Sequence, residues 1–230
     1  MINILNKSVF KKLHYIVIFI SFKTLAFNLY EINGNNIIID GDIYSNVLNQ
    51  GANTSFSLTK AFGSEALFYS STNGFERYFV FDKYQHDKIT CIYNSSRIIS
   101  NGVVNRNAVC GLEIPITNAI DESSAIIDSV SQIEYNYELE RDSDGSVIPF
   151  DELKILKYKN KNFELYIKYD GIYDYIDGSS SVLIKNLKSN ISREFNNFYF
   201  VYYKLEDGYN LKSTFVIDSD NTIKEKIDIK

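Results

Sequence analysis

The chain has 230 residues with 24 basic and 29 acidic side chains, two histidines, two cysteines, two prolines and no tryptophan. Hydrophobic residues make up 45 %, and 18 tyrosines and 16 phenylalanines supply much of that, enough for one large core or two small ones. The acidic balance argues against nucleic acid as a partner, because that affinity comes from lysine and arginine neutralising phosphates.

Residues 1–26 read as a cleavable signal peptide. Lys7, Lys11 and Lys12 form a basic start, Leu13 to Phe22 an apolar run, and Ala26 a small residue at the end of a cleavage site. A membrane-crossing helix needs roughly 20 apolar residues, and Lys23 ends this run well short of that. Phe27 follows the cleavage site, so no cysteine is placed there for lipid modification. The expected product has no membrane span and is periplasmic or extracellular. Of the 24 basic residues, Lys7, Lys11, Lys12 and Lys23 leave with the signal, so 20 remain against 29 acidic ones, net −9. A charge of that size allows a basic partner to be steered in. The abundance of Asn, Ile, Lys and Tyr matches the codon bias of an AT-rich genome and suggests a bacterial source.

Along the mature chain a two-residue period dominates. Leu29 to Ile32 and Ile37 to Asp40 flank Asn33-Gly34-Asn35-Asn36 as a hairpin, and Asp40-Gly41 marks the next turn. Strands are expected at 65–70, 76–82 and 88–93, followed by a short one holding Cys110. A helix is expected at about 117–131, with Asp121 or Ser123 as its cap, Glu122 in its first turn, and Ala125, Ile126, Ile127 and Val130 on its apolar face. A second helical stretch, near 43–50 or 57–67, is a weaker expectation. Ile133, Tyr135, Tyr137 and Leu139 alternate with polar residues, then come a turn at 141–146 and strands at 153–158 and 163–169. Phe198-Tyr199-Phe200-Val201-Tyr202-Tyr203 is apolar on both faces and reads as a central strand, and Leu211 to Ile217 follows it. The expected fold is mainly β, or α+β, an antiparallel meander or sandwich with one or two short helices. It divides into a disulfide-bearing half at 27–120 and an antiparallel half at 121–230, either separate or parts of one domain.

Cys91 and Cys110 are the only cysteines. In an exported chain two such residues are expected to pair, closing a loop of about 20 residues worth ~3 kcal/mol on chain-entropy grounds. Two thiols are too few for a zinc site. With His14 lost in the signal, His86 is the only histidine left, so any Ser-His-Asp or Cys-His site must use it. It lies in Tyr84-Gln85-His86-Asp87-Lys88, which reads as a solvated turn. Asp142-Ser143-Asp144-Gly145 has part of a calcium-loop spacing, but Glu140 and Asp151 stand at the two ends and a strand precedes it, so a hairpin turn is the simpler reading. Metal ligands and cofactors are therefore not expected.

Tyr169 to Gly178 interleaves tyrosines with Asp170, Asp174 and Asp177. It fits a tight connection at a sheet end. Tyr173, Asp174, Tyr175 and Asp177 are also the candidate partner-binding residues, since tyrosines give rigid contacts and carboxylates attract a basic protein. Taken together, export, acidity, the cysteine pair and the scarcity of histidine point to a non-catalytic binding protein of a bacterial envelope, an inhibitor or immunity protein that occludes a toxin or hydrolase. The alternatives are a carboxylate-based envelope hydrolase and a surface or adhesin-type structural protein.

Overall fold

The computed structural model describes residues 29–48, 53–72, 75–97, 104–131, 142–146, 150–172 and 179–229. The segment read as an export signal lies outside them, as does the alternating stretch at 133–139. The described chain is mainly β.

Strands β1 (Tyr30–Asn33), β2 (Asn36–Ile39) and β3 (Asp42–Tyr44) form a small antiparallel sheet. Asp40 and Gly41 between the last two both have positive φ, 54° and 92°. That is the type I′ turn whose twist matches its strands, and an Asp-Gly pair enters it at little cost. Next, β4 (Thr54–Ala61), β5 (Ser64–Ser71), β6 (Phe75–Phe81), β7 (Lys88–Arg97) and β8 (Val104–Pro115) run as an antiparallel meander. Helix α1 (Ile116–Ser131) follows directly. A second meander comprises β9 (Phe150–Lys159), β10 (Phe163–Ile172), β11 (Ser179–Asn186) and β12 (Ser192–Phe195). Then β13 (Phe198–Leu205), β14 (Gly208–Ile217) and β15 (Ile223–Asp228) return to the first sheet, giving the order β15-β14-β13-β8-β7-β6-β5-β4.

The return is the one parallel pairing among the described strands: β13 lies alongside β8 in the same direction. Parallel neighbours need a long crossover, and α1 with the whole second meander provides it. Phe198 to Tyr202 are buried, as a strand apolar on both faces requires in the middle of a sheet.

Residues opposite one another share a face. Leu67, Phe79, Ile92, Val109 and Tyr202 form one such row on the first face of the eight-stranded sheet. Against that face pack Ile37, Ile39 and Leu48 of the N-terminal region, Ile116, Ala119, Ile126, Ile127 and Val130 of α1, and Leu165, Ile167 and Val182 of the four-stranded sheet. These side chains make one continuous core, each large one contributing on the order of 1.5–3 kcal/mol by leaving water.

The second face carries a smaller core of Phe62, Val80, Tyr93, Tyr199, Val201 and Phe215. Phe62 sits in the β4–β5 turn and stacks on Tyr93 at 3.6 Å between ring centroids, with Tyr199 edge-on at 5.5 Å. Its N–H donates to Asn221 O at 2.9 Å, and Asn221 Nδ2 donates to Tyr78 Oη at 2.9 Å. Asn221 precedes β15 while Phe62 follows β4, and those strands are the two ends of the sheet. Their turns can meet only because the sheet is strongly coiled about this aromatic cluster.

Cys91 and Cys110 stand opposite each other on β7 and β8 and are joined by a disulfide. The helical alternative at 57–67 is corrected: β4 and β5 form a hairpin there, because Phe56 and Leu58 alternate with exposed Ser55 and Ser57. The alternative at 43–50 holds β3 and a turn through its described residues. The helix itself lies close to its expected place, but it begins at Ile116, so Asp121 and Ser123 are interior rather than caps. Residue 121 falls inside α1, and strands from both expected halves share the eight-stranded sheet.

Candidate functional site

One corner of the molecule brings the β2–β3 turn against the β6–β7 loop. Asp82 Oδ1 accepts the N–H groups of Tyr84 and Gln85, each at 2.7 Å, which folds the loop tightly. Those bonds, Gln85's first, hold the Asp82 carboxyl below the ordinary carboxylate range. His86 then reaches back to the turn: Nδ1 lies 2.6 Å from Asp40 Oδ2 and Nε2 lies 2.9 Å from Lys83 O. Both neighbours are acceptors, so both ring nitrogens must carry protons for both bonds to form, and that species is the imidazolium. The bond to Asp40 is accordingly the main influence raising the His86 pKa.

Tyr30 stacks on Phe81 at 4.3 Å and meets His86 edge-on at 6.3 Å, so aromatic packing backs the bridge. The Tyr44 hydroxyl is pushed up by burial and then by Asp87, Asp42 and Asp40 nearby. At the tip of the loop Tyr84 is 84 % exposed. The corner thus presents a solvent-facing tyrosine on a loop fixed at its base, with Lys83 Nζ 5.7 Å from its ring centre and Asp40, Asp42, Asp82 and Asp87 on the adjoining turn and loop.

A second polar cluster lies beneath α1. Arg77 is on the first face of the sheet, in the same row as Asn94 and Asn107. Its Nε donates to Asn94 Oδ1 at 2.9 Å, and its Nη1 donates to Ser123 Oγ at 2.6 Å and Ser124 Oγ at 3.0 Å. Arg77, Asn94 and Ser123 are buried, and burial lowers the guanidinium pKa. The cluster ties the helix to the sheet.

Where the four-stranded sheet packs over the β13–β15 end of the large sheet, the two layers part to leave a groove of about 330 Å³. Phe163, Ile184, Ile191, Phe195 and Ile227 provide its apolar walls. At its rim Arg193 makes two bonds to Glu225, Nη1 to Oε1 at 2.9 Å and Nη2 to Oε2 at 2.5 Å, and its guanidinium lies 4.8 Å from the Phe195 ring centre. The pair raises the Arg193 pKa and lowers that of Glu225.

The remaining sequence candidates divide. Cys91 and Cys110 are brought together as a disulfide. Tyr173, Asp174, Tyr175 and Asp177 fall between β10 and β11, outside the described residues. Asp142 Oδ1 accepts the N–H groups of Asp144 and Ser146 at 3.2 and 3.0 Å, so that carboxylate serves the turn. Among the described residues no group of three or more His, Cys, Asp or Glu side chains is placed to hold a metal ion. No described helix is long and apolar enough to cross a membrane. Sequence reasoning missed Arg77, Arg193 and the bridge from His86 to Asp40. The first had a signal, since Arg77 keeps phase with Phe75, Phe79 and Phe81. The other two depend on contacts between distant segments.

Comparison with protein-family models, with curated proteins and with solved structures finds no match to this chain.

Proposed function

We propose that this is an exported, non-catalytic binding protein of a bacterial envelope, an inhibitor or immunity protein that works by covering the active cleft of a basic toxin or hydrolase. The observation that carries the reading is the acidic corner, where Tyr84 projects from a loop held by Asp82 and by the His86–Asp40 bridge. An exposed tyrosine on an ordered base loses little freedom on binding. The acidic balance of the chain favours a cationic partner and its approach. The disulfide between β7 and β8 is compatible with the oxidising compartment that export implies.

A photo-crosslinking residue at position 84, with a second at exposed Ser55 as control, at the opposite end of the β4–β6 strands, tests the reading in intact envelope. The expected result is one adduct specific to position 84, whose captured protein is basic and loses activity when this chain is added. No adduct, the same adducts from both positions, or a captured protein whose activity is unaffected would count against it.

A further inference from the structure

The described sheets end in edge strands that differ in how they are protected. β1, β3 and β12 are only three or four residues long. β9 carries Lys154, Lys157 and Lys159, and β15 carries Lys224 and Lys226. A register irregularity also interrupts the pairing of each of these two with its neighbour. Short strands, lysines and bulges are the features that keep an edge from pairing with another chain. β4 is the exception: it has eight residues in unbroken register with β5, and its one charged side chain, Lys60, lies near its end, 3.4 Å from Glu65.

The pairing of β4 fixes which of its backbone groups are open. Ala61 and Ser64 close a two-residue hairpin, and Thr72 N–H donates to Asn53 O at 3.0 Å. In an antiparallel ladder the residues between such bonded pairs alternate. Ser55, Ser57, Thr59 and Ala61 therefore turn their N–H and C=O groups toward β5, while Phe56, Leu58 and Lys60 turn theirs away. The next outward donor, Phe62 N–H, is taken by Asn221 O. Among the described residues none bonds the backbone groups of Phe56, Leu58 or Lys60.

We infer that β4 pairs antiparallel with β4 of a second copy of this chain, across a two-fold axis at Leu58. The open run is centred on that residue, so the axis sets Leu58 opposite Leu58 and Phe56 opposite Lys60, and every outward group finds its partner. On the face that carries Phe56 and Leu58, the apolar row continues from one copy into the other. On the opposite face Ser57 meets Thr59, and hydroxyl pairs of that kind bond across strands. Lys60 is the only charge in the strand, so no like charges face each other although the chain as a whole is acidic. A strand from another protein would need none of this self-complementarity. The contact closes at two copies and leaves the lysine-bearing β15 at each end of the joined sheet. It involves neither Tyr84 nor its loop, so either reading can fail alone.

Sedimentation equilibrium of the purified protein, from micromolar to millimolar concentration, tests the pairing. The expected result is a reversible shift from the mass of one chain to that of two. Amide exchange at Phe56, Leu58 and Lys60 should slow as the dimer forms. Ser57→Lys with Thr59→Lys sets two pairs of like charges opposite each other and should weaken the dimer about tenfold. Ser57→Asp with Thr59→Lys sets opposite charges there and should leave the dimer intact or tighter. Ser57 is exposed and Thr59 half-buried, and circular dichroism checks that both variants stay folded. The mass of one chain throughout would overturn the assignment, as would a dimer that the two lysines do not weaken. A chain that is monomeric alone, with those amides protected only after envelope extract is added, would overturn it in favour of a strand from another protein.

Discussion

His86 Nδ1 lies 2.6 Å from Asp40 Oδ2 across 46 residues of sequence while its other ring nitrogen faces the Lys83 carbonyl, an arrangement that favours the charged form of this histidine. The bridge pins the three-stranded sheet to the loop that carries Tyr84. It also gives the one histidine expected in the mature chain a structural role within the turn that the sequence suggested.

A pH dependence follows from that bridge. The folded-state pKa of His86 is raised, so its contribution to stability is complete below the ordinary histidine value of about 6.5 and is lost as pH rises through the folded value. From about pH 6 upward, where the carboxylates are already ionised, thermal unfolding should show the native protein losing the stability that His86 supplies. His86→Asn should flatten that slope, and NMR titration of the ring should place its midpoint above the ordinary one. A ring titrating at or below 6.5 would contradict the geometry.

Arg77→Met should destabilise the protein by about 2–4 kcal/mol. The substitution leaves the buried side chains of Asn94 and Ser123 without the donor they accept from, and the cost of such orphaned groups exceeds the gain from an added apolar chain. The urea-unfolding midpoint measures it. A neutral outcome would mean that water or a neighbouring group takes over these bonds.

Much of the β-architecture was legible because it is local. Asn33-Gly34 and Asp40-Gly41 announce their turns, and the run from Phe198 to Tyr203 has no polar face to turn to solvent, so it belongs in the middle of a sheet. The hairpin of β4 and β5 was harder to read. Phe56, Leu58, Phe62, Ala66 and Leu67 fit a helical spacing as well as an extended one, and only pairing with β6 decides between them. The parallel contact of β13 with β8 had no local signal at all, because it depends on how α1 and the second meander return the chain. The same limit applied to the candidate sites. The corner joins residue 40 to residue 86, and the groove draws on residues from 163 to 227. Neither exists until the sheets pack.

Replacing both Cys91 and Cys110 by alanine should cost about 3 kcal/mol through the freedom returned to the unfolded chain. Dithiothreitol should give the same loss in the native protein and none in the double variant, as read by guanidinium unfolding. Equal stability with and without the bridge would contradict this.

Gly111→Ala should destabilise by about 1–2 kcal/mol. Gly111 has φ of +71°, and an added Cβ would lie 3.4 Å from Cδ1 of Tyr203 on the neighbouring strand. Strain and crowding act in the same direction. An unchanged melting temperature would show that β8 relaxes freely at this point.

The most direct test of the proposed function is protection in living cells. Each exported toxin or hydrolase encoded beside this protein would be expressed with the native chain and with Tyr84→Ala. The variant should fold with stability within about 0.5 kcal/mol of the native protein, because the side chain is exposed. The account predicts that the native chain restores growth against one of these enzymes and that Tyr84→Ala restores it poorly or not at all. Undiminished toxicity of every one of them in the presence of the native protein would contradict it.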